Sequence, residues 1–351
     1  MSLVWTLAIR GLTLLGVLVV VLVLLVVALG ATGFSDKMLK AIVGEEVRGI
    51  RTGLAQSIRD PDQLEATLAA RRKDLERFYG LERPWYSRLS GMVLRVVTLD
   101  LGEARTLRSF EGSNKVTDLV LERLPYTLLL ITTATAITSV LGLWIGVKLA
   151  TRVGSLTDRL SSYLSAVSYA VPAWWAGILL ILLLAFRLRL LPAGGLYSTP
   201  PPEEGLARFL DLLWHAVLPI ATLVLVSIGA WTYTVRTMVL NTAQEFFVTV
   251  ARAKGLPEGR VMGRYILRVA APPIVTNLVL GLAGSLGGAI LTETVFNWPG
   301  MGRLYYDAIV TADESLVVAL TFMFTLLYVA SRFLLEVLYV TLDPRIRYGQ
   351  T

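Results

Sequence analysis

Cysteine is absent from this 351-residue sequence, and histidine occurs once, at His215. Without thiols the chain can form no disulfide and no thiolate metal site, and its redox compartment cannot be inferred from cysteine usage. A single histidine does not favour a zinc or haem site either. We therefore expect neither a metal nor another cofactor in this chain.

The loop that binds nucleotide phosphates is absent as well. That loop carries a lysine followed by serine or threonine, and none of the six lysines has such a neighbour. The sequence also lacks the clustered histidine, cysteine or carboxylate residues that a membrane enzyme would need. We expect that the chain is not an enzyme and that it neither binds nor hydrolyses ATP.

Charge is missing from six long apolar windows, and this is the strongest signal in the sequence. Hydrophobic residues make up 55% of the chain and the mean hydropathy is +0.64, both above the usual values for a soluble domain. A membrane-spanning helix needs roughly 20 predominantly apolar residues. We therefore predict an all-α membrane protein with six transmembrane helices, over residues 11–35, 124–147, 160–186, 212–235, 269–292 and 315–331 with its extension to 342.

The charges of the short loops indicate how the chain is oriented. Basic residues dominate loops 148–159 and 236–268, whereas loops 187–211 and 297–314 are nearly balanced. Because short cytoplasmic loops carry the excess of lysine and arginine, we expect the two basic loops, the N-terminus and the C-terminus to be cytoplasmic. The net charge of +7 then reflects topology and anionic lipid, and we expect no binding of nucleic acid.

Four segments follow from this topology. The first transmembrane helix, residues 1–35, is too long for the apolar core of a signal peptide. An external helical segment over 36–123 comes next, followed by a transmembrane core over 124–342 and a cytoplasmic tail over 343–351. In the external segment, Asp60-Pro61 is predicted to start a helix that ends at Gly80. Its apolar residues fall roughly on one face: Leu64, Leu68, Leu75 and Phe78.

A compact basic element, "TVARAKGLPEGRVMGRY", occupies residues 249–265 between the fourth and fifth windows. Residues 244–254 favour a helix, Gly255 fits the C′ position that stops it, and Pro257 fits the first turn of a second helix. A slim helix that is continuous with two spans can press into a cleft on another protein and transmit movement to both. The alternative is a solvated basic loop that anchors to lipid.

Several strings, in order along the chain, resemble the binding-protein-dependent ABC importer permeases of the dipeptide/oligopeptide type. They are "ERLPYTLLL", "LLPAGG", "ARAKGL", "ETVFNWPGMGRL", "DAI" and "YVTLDPRIR". The resemblance runs from about Leu75 onward, and residues 36–74 match no part of it. It implies a permease subunit in the inner (cytoplasmic) membrane that forms half of a pathway for peptides, oligosaccharides or nickel chelates. The alternative class is a self-sufficient secondary transporter or channel, but the broken helices and buried charges expected of it are scarce.

The resemblance also implies a set of partners. These are a second, similar permease, two cytoplasmic ATPase subunits that hold ATP and Mg, an external substrate-binding protein and membrane lipid. The basic element is then a cytoplasmic coupling helix, within a coupling segment over 241–265, that docks on an ATPase. The residues expected to couple are Thr249, Ala251, Arg252, Ala253, Lys254, Gly255 and Leu256. The family's Glu-Ala-Ala-x3-Gly pattern survives only at Ala251 and Gly255, with Thr249 at the glutamate position.

The string "ETVFNWPGMGRL" lies at the external end of the fifth window. Its aromatic residues suit an interfacial belt above a tight turn. The alternative is a hairpin that dips toward the pathway and forms an external gate beneath the binding protein, with Glu293 holding the turn through backbone or Arg303 contacts. The residues expected to form that gate are Glu293, Phe296, Trp298, Pro299, Gly300 and Arg303.

Two smaller features are open to a structural and a functional interpretation. His215, at the external mouth of the fourth window, fits an interfacial position better than a catalytic one. Glycines recur at Gly142 and Gly146 and through "GLAGSLGG", residues 281–288. Such stripes let helices approach closely, either within the chain or along a surface that lines a pathway or meets another subunit.

Overall fold

The computed structural model describes residues 3–31, 33–84, 86–87, 100–203, 205–285, 290–311 and 313–342. These residues are mostly helical and contain no strand, only one isolated bridge between Glu103 and Lys115. The described residues also include two π-helical segments, Ile181–Arg187 and Val261–Ile266. The helices are α1 (Leu3–Ala31), α2 (Phe34–Leu54), α3 (Pro61–Phe78), α4 (Val116–Ala150), α5 (Leu156–Ala170), α6 (Ala173–Leu180), α7 (Leu206–Ala243), α8 (Phe246–Ala253), α9 (Glu258–Arg260), α10 (Leu267–Ser285), α11 (Ile290–Val295), α12 (Met301–Val310) and α13 (Glu314–Leu342).

Three helices in the described residues are long and apolar enough to cross a membrane. They are α4, α7 and the Ser315–Leu335 part of α13, and they coincide with the second, fourth and sixth predicted windows. In α1 the apolar stretch Ile9–Leu25 is shorter, and α10 ends at Ser285, before the end of the fifth window. The helical membrane architecture is confirmed, whereas the number of six spans stays a prediction.

The third window is not one straight helix. It consists of α5 followed by α6 and its π-helical continuation, and the two parts are bent by 98°. The break falls at Val171, which is extended, and Pro172, which caps α6. A proline disfavours helical backbone at the residue before it and lacks an amide hydrogen, so the helix ends at Ala170. The apolar window alone predicts one helix here, and Pro172 is the local signal for the break.

The chain divides into two compact units, each described by itself. One comprises Leu12–Glu122 and Asp307–Leu326 and includes α2 and α3. As predicted, Asp60 caps α3, since its side chain accepts a hydrogen bond from the Asp62 amide at 3.0 Å. Leu68 is buried but Phe78 is 81% exposed, so Phe78 does not share the buried face of α3.

Tyr79 takes the inner position instead. It packs with Leu39 and Val43 of α2, and its hydroxyl donates to Glu46 Oε1 at 2.6 Å. Burial, followed by the hydrogen bond and charge of Glu46, raises the pKa of Tyr79 to about 12. From the sequence, the amphipathic stretch 83–102 after α3 is expected to lie on the membrane surface, but it falls largely on residues 85 and 88–99, outside the described residues.

The other unit comprises Met1–Gly11, Arg123–Tyr306 and Leu327–Thr351. Here α5 lies along α7, where Gly229 faces Ser165 and Ser168 so closely that a Cβ would meet their atoms at 2.6–2.7 Å. At the end of this contact, Asp158 accepts hydrogen bonds from Nε and Nη2 of Arg236, at 2.5 and 2.8 Å. Asp158 is buried, so removing either partner would leave a poorly solvated charge.

The glycine stripe of α4 packs within this unit. A Cβ on Gly142 would clash with Trp231, and one on Gly146 would meet Val235 at 2.9 Å. Both neighbours belong to α7, so these glycines allow close packing of two helices of the same chain. Of the second stripe, Gly281 has no atom near its Cβ position in the described structure, while residues 286–289 lie outside the described residues.

Candidate coupling segment and gate

The predicted coupling helix corresponds to α8, which begins after Glu245 and ends at Ala253. Its C-terminal turn is closed by two hydrogen bonds, from the Gly255 amide to the Arg252 carbonyl at 2.9 Å and from the Leu256 amide to the Ala251 carbonyl at 3.4 Å. Gly255 has a φ of 75°, which glycine adopts without the steric cost of a Cβ. This is the Schellman arrangement. The predicted helix stop is confirmed, although Pro257 caps α9 rather than lying in its first turn.

One face of α8 is built into the chain itself. Val248 and Ala251 are buried, and they belong to a single apolar cluster, which we call the coupling core. Its other members come from the end of α7 and from the start of the next long helical stretch: Val235, Val239, Val261, Ile266, Ala270 and Ile274. One close-packed core therefore joins α8 to both flanking helices.

The other face of α8 is exposed. Thr249, Arg252, Ala253, Lys254 and Gly255 all lie at the surface, whereas Leu256 is half-buried and packs against the coupling core. Of the residues predicted to couple, Ala251 is thus on the inner face, where its small side chain permits close packing and cannot itself touch a partner.

Two charges cross the turn between α8 and α9. Arg252 Nη2 lies 2.7 Å from Glu258 Oε1, and both side chains are about half exposed. The hydrogen bond from Arg252 lowers the pKa of Glu258 below its ordinary value. The pair holds the turn but, being exposed, contributes little to stability.

Sequence reasoning missed an aromatic pair at the start of α8. Phe246 is 80% exposed and Phe247 is 37% exposed, next to the exposed Thr249. Large apolar side chains that stand out beside polar ones mark interaction surfaces. The available signal was the sequence "EFFV" directly before the basic residues.

The predicted gate forms a buried turn between α11 and α12. Phe296 and Trp298 are fully buried, in a cluster with Leu130 of α4 and with Ala216 and Leu218 of α7. Trp298 Nε1 donates to the Tyr126 carbonyl at 3.1 Å. The two aromatic side chains thus face the interior of the chain, whereas an interfacial belt would require them at the surface of the protein.

Glu293 is the centre of this turn and is almost completely buried. Its Oε1 accepts the Thr127 hydroxyl at 2.9 Å, and its Oε2 accepts the Arg303 amide at 2.9 Å. Thr127 Oγ1 also accepts the Met301 amide at 2.7 Å. The expected backbone contact to Arg303 is therefore present, while the Arg303 guanidinium donates to Asn297.

Glycines let the chain close around this carboxylate. A Cβ on Gly300 would meet the Glu293 carboxyl group and Thr127 Oγ1 at 2.5 Å, and one on Gly302 would meet Glu293 Oε2 at 3.0 Å. On the other side the Gly195 amide donates to the Phe296 carbonyl at 2.8 Å. Together with the half-buried Pro299 and Arg303, these contacts stabilise the buried conformation of the gate turn.

His215 precedes Ala216, which belongs to the cluster around the gate turn, and it is not an exposed interfacial residue. It is 4% exposed, and its Nδ1 lies 2.9 Å from the Asp211 carbonyl oxygen one turn earlier. In the part of the chain that the structure describes, no group of three or more histidine and carboxylate side chains could hold a metal ion.

Comparison with known proteins assigns the chain to a family. Residues 122–348 match the family described as "Binding-protein-dependent transport system inner membrane component". The chain belongs to this family. It is therefore the membrane component of a transport system that depends on a binding protein and on ATPase subunits, which bears out the expected class over a self-sufficient transporter or channel.

Curated members of the family cover most of the chain. The oligopeptide transport system permease protein AppB of Bacillus subtilis is 30% identical over 292 residues, which are 82% of this chain and 90% of AppB. The di/tripeptide transport system permease protein DppB of Pseudomonas aeruginosa is 33% identical over 310 residues, with the same coverage of 82% and 90%. The peptidoglycan transport system permease protein YejB of Agrobacterium fabrum is 28% identical over 288 residues, covering 79% and 76%.

Proposed function

We propose that this chain is the permease subunit of an ATP-driven peptide importer and forms half of the translocation pathway. The second half comes from a homologous permease, and two cytoplasmic ATPase subunits hold the ATP and Mg. The names of AppB, DppB and YejB concern oligopeptides, di/tripeptides and peptidoglycan. Small amide-containing solutes are therefore the substrate class that we propose.

The two-faced geometry of α8 is the observation that carries this proposal. Its inner face shares the coupling core with the helices on both sides, and its outer face presents Phe246, Thr249, Arg252 and Lys254. A loop that only anchors to lipid needs neither a fixed helix stop nor a shared core. A rigid helix with a mixed apolar and basic outer face supports docking in a cleft of an ATPase.

The topology proposed with this function has six spans and cytoplasmic N- and C-termini. The segments are those expected from the sequence: a first span within residues 1–35, an external segment over 36–123, a core over 124–342 and a tail over 343–351. The basic loops 148–159 and 236–268 support this orientation. It places the coupling segment, residues 241–265, on the side where ATP is hydrolysed and the gate turn on the side of the binding protein.

Transport itself is the first test. The chain is reconstituted in proteoliposomes with the second permease, the ATPases and the binding protein of its own system. We expect uptake of radiolabelled tri-alanine that requires both ATP and the binding protein, and no nucleotide binding by the isolated chain. Uptake of maltotriose or of chelated nickel in place of tri-alanine would overturn the substrate class, and uptake without ATP would overturn the importer mechanism.

We also propose that the gate turn opens during transport. Glu293, Phe296, Trp298, Pro299, Gly300 and Arg303 then form an external gate whose closed form is the buried turn described above. Irregular backbone at the edge of a membrane is tolerated where protein covers it, and the burial of this turn supports that condition.

Cysteine labelling in this naturally cysteine-free chain tests the gate. Met301 is 1% exposed and Tyr306 is 41% exposed, so Met301→Cys reports opening and Tyr306→Cys is the accessible control. We expect the labelling rate of Met301→Cys from outside to change by about tenfold between the resting and ATP-trapped complexes, and that of Tyr306→Cys to stay constant. Equal rates at Met301→Cys in both states would rule out a moving gate.

A further inference from the structure

The loop between the π-helical segment Ile181–Arg187 and α7 lies against the gate turn. We call its residues 190–198 the strap. Leu191 and Leu196 of the strap pack against the apolar cluster that contains Phe296 and Trp298. The strap therefore covers the two aromatic side chains of the gate turn with residues from a separate part of the chain.

Backbone contacts tie the strap to the gate turn. The Gly195 amide donates to the Phe296 carbonyl at 2.8 Å, and Gly194 approaches the same carbonyl so closely that a Cβ on it would clash with the oxygen. Phe296 is fully buried, and a buried carbonyl that loses its donor is unfavourable. Lifting the strap would therefore destabilise the closed gate turn, and the two are energetically linked.

One carboxylate of α7 anchors the far end of the strap. Asp211 Oδ2 accepts the Ser198 amide at 2.7 Å, and Asp211 Oδ1 accepts the Ser198 hydroxyl at 2.8 Å. Hydrogen bonds to an ionised acceptor are roughly twice as strong as neutral ones. The side chain of Asp211 is only 11% exposed, so water screens this contact little. Asp211 thus fixes the position of Ser198 relative to α7.

A second contact between the strap and α7 is weaker. The guanidinium carbon of Arg208 lies over the Tyr197 ring, 4.7 Å from its centroid. Arg208 is exposed, and cation–π contacts at exposed sites contribute little. Asp211 is therefore the stronger of these two attachments.

We propose that Asp211 is a positioning residue of the external gate, which keeps the strap seated on Phe296 through Ser198 and so keeps the gate closed in the resting complex. The inference rests on the proposed gate and deepens it by naming the residue that holds it shut. The same helix, α7, contributes Val235 and Val239 to the coupling core. The helix that anchors the strap near one end therefore meets the coupling segment near the other.

Breaking the anchor tests this role. Asp211→Ala is combined with Met301→Cys, the buried reporter of the gate turn, and separately with Tyr306→Cys, the accessible control, in the complete complex. The substitution removes both acceptors of Ser198 but keeps the Asp211 backbone carbonyl, which lies 2.9 Å from His215 Nδ1. We expect the resting labelling rate of Met301→Cys to rise about tenfold, toward its rate with trapped ATP, because the closed turn loses charge-assisted hydrogen bonds. The rate at Tyr306→Cys should stay constant.

Ser198 offers milder variants, because it is exposed and each change affects one hydroxyl. Ser198→Ala removes one of the two bonds to Asp211, and we expect the resting rate at Met301→Cys to rise about threefold. Ser198→Thr is the matched control, since it keeps the hydroxyl and should label at the wild-type rate. The double variant Asp211→Ala with Ser198→Ala should label no faster than Asp211→Ala alone, because both changes break the same contact.

The labelling rates separate this role from a purely structural one. If Asp211 only stabilises the fold, Asp211→Ala lowers thermal stability and leaves the resting rate at Met301→Cys unchanged, which overturns the proposal. An equal rise at Tyr306→Cys would show general loosening and would overturn it as well. If Asp211→Ala does not assemble, a wild-type rate for Ser198→Ala overturns the proposal.

The proposed gate and its anchor can fail separately. Equal rates at Met301→Cys at rest and with trapped ATP, in a complex with Asp211 unaltered, would overturn the gate and the anchor with it. A rate that depends on nucleotide in that complex but is unaffected by Asp211→Ala at rest would overturn the anchor alone.

Discussion

The coupling segment and the gate turn are both helix breaks followed by a short helix, yet they are built in opposite ways. In the coupling segment the break is exposed: Gly255 turns freely at a φ of 75° with no atom within 4 Å of its Cβ position. In the gate turn the break is buried: Gly300 lies against Glu293 and Thr127. An exposed break leaves a surface for a partner, whereas a buried break is stabilised by contacts within the chain.

The largest effect should come from filling the buried break. Gly300→Ala places a Cβ 2.5 Å from the Glu293 carboxyl group and from Thr127 Oγ1, so the turn must open or lose its hydrogen bonds. We expect a loss of about 3 kcal/mol or more in the free energy of unfolding. Gly259→Ala is the control, because no atom lies within 4 Å of its Cβ position. The stability of both variants is measured by heating the detergent-solubilised complex and quantifying the intact complex by size-exclusion chromatography.

A smaller but still large effect should follow from removing one hydrogen-bonding group of the gate turn. Thr127→Val deprives Glu293 Oε1 of a donor and the Met301 amide of an acceptor. Buried polar groups left unsatisfied cost about 1–3 kcal/mol. Thr127→Ser keeps the hydroxyl and should recover most of the stability in the same unfolding measurement. Equal stability of the two variants would show that the hydroxyl does not hold the turn.

The exposed break should behave differently, with function lost and stability kept. Gly255→Arg strains the left-handed backbone by roughly 1–2 kcal/mol and places a large side chain on the proposed docking surface. We expect the subunit to reach the membrane while binding-protein-stimulated ATP hydrolysis falls at least about tenfold. Gly255→Asn is the control, because asparagine tolerates this backbone conformation and adds less bulk. If Gly255→Arg assembles and stimulates hydrolysis at the wild-type level, α8 is not the coupling helix.

The smallest effect should come from the ion pair across the exposed break. Arg252 lowers the pKa of Glu258, so the carboxylate stabilises the folded state above its ordinary pKa, which is near 4.5. That contribution is lost as the pH falls through the lowered folded-state value. Because the pair is exposed, Glu258→Gln should change thermal stability at pH 7 very little. A Glu258→Gln variant that unfolds several degrees lower at pH 7 would show that the pair is more important than its exposure indicates.

The same comparison shows which parts of each site could be predicted. The helix stop of the coupling segment is local, since Gly255 and its neighbours determine it, and the sequence predicted it correctly. The partners of the gate carboxylate are distant, since Thr127 and Glu293 are separated by 166 residues. The sequence suggested that Glu293 holds a turn, but nothing near it in the chain indicated Thr127 or Tyr126.

Burial within the coupling segment could not be predicted either. Ala251 matches the family pattern as well as Gly255 does, yet its side chain faces the coupling core and that of its neighbour Arg252 faces outward. The face of a short helix that becomes buried depends on where α7 and α10 lie, and eight residues contain too little periodicity to show it. The same reason explains why the exposed Phe246 was overlooked.

By itself the sequence determined the membrane character of the chain, the helical class, the cap at Asp60 and the stop at Gly255. Each of these follows from composition or from contacts within one turn of helix. Only the tertiary structure decided the Asp158–Arg236 pair, the buried gate turn and the strap that covers it. These features join residues far apart in the chain, and their formation depends on how the helices pack, which local propensity does not specify.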